Sequence, residues 1–217
     1  MNRLVQTSIL AVLFSLSFCA QALDEQPAPA SSGATTPGFH VAFSVGLTSG
    51  GDTLATAHYT DGSSASIKAG QLFQLGLGGL YQFENTPLAL LLSVNYHFDK
   101  VNASNGDMSF NRVPIEVLAY YTGAERFRIG GGVRLVNSPE ASVTINGTSE
   151  KVTFDNTTGI VGEVGIRVAP SSWINLRYVS EKYKANSYTA TSGVTFSGTG
   201  GQSVNGSHVG IFYAYDF

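Results

Sequence analysis

The sequence predicts an all-β fold in which eight antiparallel strands run up and down and close into a barrel that spans a membrane. Apolar residues occupy alternate positions in eight segments of about ten residues each, which is the period of a strand with different surroundings on its two faces. Charged residues make up only 12% of the chain, about half the share of a soluble domain. The chain also begins with an export signal. An exported, charge-poor chain without a long apolar helix enters a membrane only as a closed barrel.

The export signal comprises residues 1–22. It has a short polar start with Arg3, an apolar run over Ile9–Phe18, and an Ala-Gln-Ala cleavage site. The apolar run is too short to be a membrane-spanning helix. Cys19 is the one cysteine of the chain and lies before the predicted cut. The mature protein is therefore expected to have neither a disulfide framework nor a thiolate metal site.

Two further regions follow the signal. Residues 23–38 are rich in Pro, Ala, Ser and Thr without apolar periodicity, which predicts a disordered N-terminal tether. Residues 39–217 form the predicted barrel domain. Removal of Arg3 with the signal leaves eleven of the twelve Lys and Arg against fifteen Asp and Glu, a net charge of −4. A nucleic-acid partner is not expected, because phosphate binding requires a basic face.

The length of the alternating segments fits a membrane. Ten residues at about 3.3 Å each span about 33 Å, and a tilt near 40° shortens this to about 25 Å, the height of an outer-membrane apolar band. The predicted strands are Phe39–Thr48, Gln71–Phe83, Leu88–Asp99, Phe110–Tyr121, Phe127–Asn137, Gly159–Val168, Trp173–Tyr183 and His208–Phe217.

The connections between these segments alternate between short and long. The short ones are Glu84–Pro87, Thr122–Arg126 and Ala169–Ser172, and the long ones are Ser49–Gly70, Lys100–Ser109, Ser138–Thr158 and Lys184–Ser207. This predicts short periplasmic turns, long extracellular loops and both termini in the periplasm. Asp61-Gly62 and Asn146-Gly147 are typical of hairpin tips, so predicted strands 1 and 2, and 5 and 6, are expected to extend above the membrane.

Aromatic residues cluster near the two ends of the predicted strands, which favours two belts at the membrane interfaces. One set lies near the termini and short turns: Phe39, Tyr81, Phe83, Tyr121, Phe127, Trp173, Tyr215 and Phe217. The other lies near the long loops: Tyr96, Phe98, Phe110, Phe154 and Tyr183.

The last ten residues carry a resemblance to a known group. Alternate residues from Val209 onward are apolar, and the chain ends on Phe217. Together with the signal and the loop pattern, this resembles the small eight-stranded bacterial outer-membrane β-barrels, the group of the OmpA transmembrane domain, OmpX and OmpW. The resemblance implies that Tyr213, Tyr215 and Phe217 form a C-terminal assembly signal. It further implies as partners the barrel assembly machinery, periplasmic chaperones, outer-membrane lipid and lipopolysaccharide.

Nearly all charges inside the predicted strands fall on the phase that faces away from lipid. They form a predicted lumen charge network of Arg112, Glu116, Arg128, Arg134, Glu163, Arg167, Arg177, Glu181 and Asp216. The first three strands offer small or neutral groups instead: Ala42, Ser44, Gly46, Gln74, Gly76, Gly78, Ser93 and Asn95. Long side chains from one wall are therefore expected to fill space left by the other, in ion pairs that offset the cost of burial.

The sequence indicates no catalytic or metal site. The four histidines, His40, His58, His97 and His208, are spread too widely to predict a shared metal, and no cofactor is expected. His97 with Asp99, or Ser207 with His208, could contribute to a Ser, His and acid set at the outer rim. Because these spacings are generic, ordinary rim polarity is the preferred interpretation.

Three functions are compatible with these observations. The first is a non-enzymatic barrel with a charged, largely occluded lumen, acting in envelope structure or surface interaction through its loops. Tyr59, Tyr188 and Phe196 are candidate recognition residues for an unidentified extracellular ligand. The alternative is a narrow porin-like conduit for small or apolar molecules, as OmpW-like barrels suggest. A lipid-modifying enzyme is a distant alternative. The inward Arg and Glu side chains favour the first function.

Overall fold

The computed structural model describes residues 36–58, 64–103, 106–145, 148–189 and 203–217. The export signal and most of the tether lie outside this part of the chain. Within it the strands are β1 (Gly38–Gly50), β2 (Thr53–His58), β3 (Ser64–Lys68), β4 (Leu72–Gln82), β5 (Leu88–Ala103), β6 (Gly106–Tyr121), β7 (Phe127–Ile145), β8 (Thr148–Phe154), β9 (Thr157–Ala169), β10 (Ser172–Ser180), β11 (Lys182–Thr189), β12 (Ser203–Asn205) and β13 (His208–Asp216). In the described residues no helix is long and apolar enough to cross a membrane.

Eight of these strands form a closed ring. Each pairs antiparallel with its two neighbours in the order β1, β4, β5, β6, β7, β9, β10, β13 and back to β1. The last strand closes on the first, with Ala42 opposite Asp216 and Gly50 opposite His208. The predicted fold class, a closed up-and-down barrel of eight antiparallel strands, is confirmed. Each of the eight predicted segments overlaps one barrel strand, although the predicted segment Trp173–Tyr183 runs past the end of β10 into β11.

The outer surface of the barrel is apolar and its interior is polar, which is the reverse of a soluble protein. On β13 the residues alternate between buried and exposed along the whole strand, and the exposed ones include Val209 and Ile211. On β9, Ile160 is 67% exposed while its neighbour Val161 is buried. Apolar side chains that face outward on all eight strands need a surrounding of hydrocarbon, and the polar side chains of the other phase then line the interior.

The short connections are tight turns at one end of the barrel, here called the short-turn end. Phe83 N–H donates to the carbonyl of Leu88 at 3.0 Å across the β4–β5 turn. Arg167 N–H of β9 donates to the carbonyl of Arg126 at 2.8 Å, which places the turn before β7 at the same end as the end of β9. The C-terminus lies at this same end, where Phe217 N–H donates to the carbonyl of Val41 at 2.8 Å. The predicted separation of short turns and long loops onto opposite ends is therefore present.

At the other end, the long-loop end, several strands extend beyond their predicted limits. β5 and β6 remain paired up to Ala103 and Gly106, so the prediction of a loop over Lys100–Ser109 was wrong for most of that segment. The last part of β7, Glu140–Ile145, pairs with β8, as predicted for strands 5 and 6. The tip residues Asn146-Gly147 lie outside the described residues.

The hairpin of β2 and β3 departs from the prediction. It forms a separate two-stranded sheet instead of extending β1 and β4. Gly50 and Gly51 have φ values of 140° and 77°, a conformation that favours glycine and turns the chain out of the β1 ladder. Leu54 and Ile67 of the hairpin are fully buried. The hairpin therefore packs its apolar face into the structure, and its tip, with Tyr59 and Asp61-Gly62, lies outside the described residues.

The predicted aromatic belts are partly wrong. Phe39, Tyr121, Phe127 and Phe217 are exposed on the outer surface, as expected for an interface. However, Trp173, Phe110, Phe154 and Tyr183 are buried in the interior. The reason is strand phase, since Phe110 shares its face of β6 with inward Arg112, and Tyr183 shares the inward phase of Glu181. Position along the strand alone did not distinguish inward from outward rings.

Candidate functional site

The centre of the barrel interior is occupied by ion pairs that reach across it. Glu116 is fully buried on β6, and its two carboxylate oxygens contact Arg177 at 2.9 Å and Arg134 at 3.6 Å. Arg177 Nε also donates to Glu163 at 2.6 Å. Side chains from β6, β7, β9 and β10 thus meet in one network.

Two of these contacts follow from strand register. Glu116 lies directly opposite Arg134 across the β6–β7 pair, and Arg177 lies opposite Glu163 across the β10–β9 pair. Directly paired residues project to the same face with their Cβ atoms about 5 Å apart, so opposite charges at these positions meet. The third contact, from Arg177 to Glu116, joins strands that are not neighbours and connects the two pairs across the interior.

Toward the short-turn end the interior is held by Arg128. Its guanidinium lies 4.7 Å from the Tyr120 ring centre and 4.4 Å from that of Trp173, and it donates to Asp216 at 3.1 Å. This arrangement combines a buried ion pair with two cation–π contacts.

Arg167 lies outside this network. It is half-buried and stacks on Trp173 at 4.7 Å, and among the described residues no carboxylate lies within 4.0 Å of it. Of the nine expected members, Arg167 therefore stays apart from the ion pairs.

Toward the long-loop end, Glu181 connects the network to two side chains that the sequence did not place in the interior. Its carboxylate contacts Arg134 Nε at 3.2 Å, accepts a hydrogen bond from the Tyr183 hydroxyl at 2.5 Å, and lies 3.8 Å from His208 Nδ1. The His208 ring in turn lies 5.1 Å from that of His97. The expectation that the histidines are scattered was wrong for this pair, which closure of the barrel brings together.

Arg112 is also buried, but it does not make the expected ion pair. Among the described residues no carboxylate lies within 4.0 Å of it. Its Nη2 donates to His97 Nε2 at 3.0 Å, and its guanidinium lies 4.6 Å above the Phe110 ring. The Arg112 Nε and Nη1 groups have no hydrogen-bond partner in the part of the chain that the structure describes. Arg112 therefore borders the network and is held mainly by rings.

Above Arg112 the interior changes from charged to apolar. The rings of Phe110, Phe154 and Tyr183 contact one another edge to face with centres 5.5 to 6.0 Å apart. Leu54 and Ile67 of the β2–β3 hairpin pack into the same cluster. Sequence reasoning missed this inward position of the hairpin. The available signal was the presence of these two large apolar residues in a segment otherwise rich in small and polar ones.

Two aspartates fasten the hairpin to the barrel rim. Asp99 on β5 accepts a hydrogen bond from Lys68 N–H at 2.9 Å. Asp52 accepts from Asn205 N–H at 2.8 Å and donates its own N–H to the Asn205 carbonyl at 2.7 Å. One end of the hairpin is therefore bound to the wall strand β5, and the other end is bound to β12.

The opposite wall leaves room for these long side chains, as expected. A Cβ on Gly46 would overlap the Phe212 ring, and one on Gly76 would overlap Asn95. The ring of Phe212 in turn supports the guanidinium of Arg177 at 4.4 Å. Between Tyr120, Arg128 and the small residues of β1 and β4 a cavity of about 20 Å³ is left, which is room for about one water.

Among the described residues no hydrogen bond joins the His97 and Asp99 side chains, or the Ser207 and His208 side chains. Asp99 is engaged by the Lys68 backbone, and the Ser207 hydroxyl donates to the carbonyl of Glu181 at 3.4 Å instead of to a histidine. In the described part of the chain no three His, Cys, Asp or Glu residues are grouped so that they could hold a metal ion.

The remaining candidate residues lie at the two ends of the barrel. At the C-terminus, Tyr213 and Phe217 face outward, and the Tyr215 ring packs on Phe217 with centres 4.6 Å apart. Among the loop candidates, Tyr188 lies on β11 opposite Val152. Tyr59 and Phe196 lie outside the described residues.

An apolar exterior around a charged and aromatic interior defines a small barrel of the outer-membrane type. Comparison with solved structures gives the same fold. Ail, the attachment invasion locus protein of Yersinia pestis in complex with the heparin analogue sucrose octasulfate, matches with a TM-score of 0.51 and 12% identity, over 84% of this chain and 100% of that one.

Two further barrels match less well. Neisserial surface protein A matches with a TM-score of 0.49 and 13% identity, over 82% of this chain and 97% of that one. OprG from Pseudomonas aeruginosa matches with a TM-score of 0.43 and 15% identity, over 86% of this chain and 99% of that one. No family model matches the chain, and no curated protein matches its sequence. The chain thus has the fold of the small eight-stranded outer-membrane barrels.

Proposed function

We propose that this chain is a non-enzymatic outer-membrane barrel with an occluded lumen, which acts in envelope structure or surface interaction through its long loops. The observation that carries the proposal is the cross-section at Glu116. Arg134 and Arg177 approach this carboxylate from two other strands, and all three side chains are at most 3% exposed. A path for solutes would have to separate these charges, and a single buried charge without a partner is costly.

A second barrier supports the same proposal. The β2–β3 hairpin lies over the long-loop end, where Leu54 and Ile67 pack against the aromatic cluster. Asp52 and Asp99 bind the two ends of the hairpin through hydrogen bonds. A solute entering from that end would meet an apolar layer first and the ion pairs beneath it.

The proposed orientation places the short turns and both termini in the periplasm and the long loops outside the cell. In this orientation the outward Tyr213, Tyr215 and Phe217 are available to the barrel assembly machinery as the C-terminal signal, with periplasmic chaperones acting before it. Outer-membrane lipid and lipopolysaccharide then surround the exposed apolar band. An extracellular ligand would meet the extensions formed by β7, β8 and β11.

Single-channel recording of the purified protein in planar bilayers tests the occluded lumen. The wild-type barrel is expected to show no large, steady open state. Replacement of residues 53–68 by a short Gly-Ser linker is expected to leave the barrel closed, because the ion pairs at Glu116 remain. A large and steady conductance of the wild-type protein would overturn the proposal in favour of a conduit.

The absence of enzymatic activity is tested separately. Mass spectrometry of lipid A and phospholipids after overexpression is expected to show the same species as in cells with an empty vector. A shifted lipid species would revive the lipid-modifying alternative.

A further inference from the structure

A groove interrupts the lipid-facing surface of the wall formed by β7, β9, β10 and β13. Gly162 faces outward on β9, and a Cβ placed on it would meet no atom within 4 Å. The groove has a volume of about 360 Å³, and its exposed lining is Ile129, Val164, Leu176, Tyr178 and Val209. Glu163 and Arg177 also border it, although their side chains are buried in the interior. The open face of the groove is therefore apolar.

The groove lies below a column of increasingly polar residues. On β10 and β11 every second residue faces outward, so Tyr178, Ser180, Lys182 and Lys184 follow one another toward the long-loop end, each exposed. Four residues of strand rise about 13 Å along the strand, which a tilt near 40° shortens to about 10 Å along the membrane normal, so Lys182 lies above Tyr178 on the side of the headgroups. Toward the long-loop end, the apolar groove is thus followed first by hydroxyl groups and then by the ammonium groups of the lysines.

The two lysines are available for an anionic group. Among the described residues neither Lys182 nor Lys184 has a carboxylate oxygen within 4.0 Å, whereas the exposed Lys151 is paired with Glu140 at 2.9 Å. Asp155 is the nearby carboxylate, since its N–H donates to the carbonyl of Lys184 at 2.9 Å. One acidic residue beside two lysines leaves a net positive rim above the groove.

We propose that this wall binds one molecule of lipid A, with an acyl chain in the groove at Gly162 and a glucosamine phosphate at Lys182 and Lys184. The inference rests on the proposed orientation, which places this wall in the outer leaflet. Clustered lysines directly above an apolar membrane surface are suited to anionic lipid headgroups. The groove continues the lipid-facing band, so an acyl chain enters it without leaving hydrocarbon.

Charge also argues against a second copy of the chain as the occupant. A symmetric dimer formed through this wall would bring the same patch of both subunits together, and the lysine pairs would then face each other. Such like-charge contacts oppose association. A phosphorylated lipid neutralises the same residues.

Native mass spectrometry of the full mature protein in detergent, titrated with hexa-acylated bisphosphorylated lipid A, tests the proposal. The wild type is expected to bind one lipid A per barrel. Gly162→Leu fills the groove and is expected to weaken binding at least tenfold. The double variant Lys182→Gln, Lys184→Gln is expected to weaken it by a similar factor. Matched controls are Val94→Leu, on the lipid face of β5, and Lys100→Gln, an exposed lysine of the same strand.

Four outcomes would overturn the proposal: unchanged binding by Gly162→Leu, equal losses in the control variants, equal competition by phosphatidylglycerol, and a wild-type dimer that Gly162→Leu abolishes. The last would assign the groove to a second copy. Circular dichroism verifies that each variant is folded, and the surface lysine variants decide the result if Gly162→Leu does not fold. Conductance of the same preparations reports separately on the occluded lumen.

Discussion

At the scale of single residues, alternation predicts which side chains enter the barrel but not which of them meet. The inward phase of Glu116, Arg134, Glu163 and Arg177 could be read from the sequence, and all four are buried. Their pairing depends on strand register and on closure, which place Arg177 of β10 against Glu116 of β6. Arg112 was expected in the same network, yet its partner is His97.

The central carboxylate gives a prediction at this scale. Glu116→Gln keeps the size of the side chain but removes the charge that Arg134 and Arg177 share. Breaking a buried ion pair by removing one partner costs about 3 to 5 kcal/mol. We expect a loss of that order in the free energy of unfolding, measured by urea titration of the protein folded into bilayers.

An exposed ion pair provides the matched control. Glu140→Gln removes the carboxylate that contacts Lys151 at 2.9 Å, where both side chains are more than one third exposed. Exposed pairs contribute about 0 to 1 kcal/mol. Equal losses in the two variants would contradict the proposed role of the Glu116 network.

At the scale of elements, the sequence predicts the barrel strands better than the segments between them. Eight alternating segments became eight barrel strands, because period-two apolar patterning is the direct result of lipid on one face. The β2–β3 hairpin was misplaced because its alternation fits either an extended ladder or an inward fold. Packing of Leu54 and Ile67 against rings of β6, β8 and β11 decides between them, and such long-range contacts are not visible in a local pattern.

The outward phase of β7 gives a prediction for an element. Val133 is 48% exposed on the lipid face near the middle of the strand's membrane segment. Val133→Arg would place a charge in hydrocarbon and is expected to cost about 2 to 4 kcal/mol near the midplane. The measurement is the same folding titration in bilayers.

Asn102→Arg serves as the control, because Asn102 is exposed on β5 beyond the apolar band. A change near zero is expected there. If Val133→Arg were as stable as this control, the assignment of inward and outward phases would be wrong by one residue.

At the scale of the whole molecule, the distribution of connections predicts orientation. The mature chain is expected to have no cysteine, so a single introduced cysteine reports its own side of the membrane. Glu84→Cys lies in an exposed short turn, and Asn102→Cys lies at the long-loop end. A membrane-impermeant maleimide is expected to label Asn102→Cys in intact cells, and Glu84→Cys only after the outer membrane is permeabilised. The reverse pattern would invert the proposed topology and would move the Gly162 groove to the inner leaflet.

The seam between β1 and β13 has a consequence for biogenesis. The first barrel strand forms its ladder with the last, so it cannot acquire one of its two partners until β13 has been synthesised. Contacts between such distant parts of a chain form slowly and leave apolar segments exposed in the meantime. Closure must therefore wait for β13, and a truncation that removes β13 would leave β1 and β10 as unpaired edges prone to aggregation.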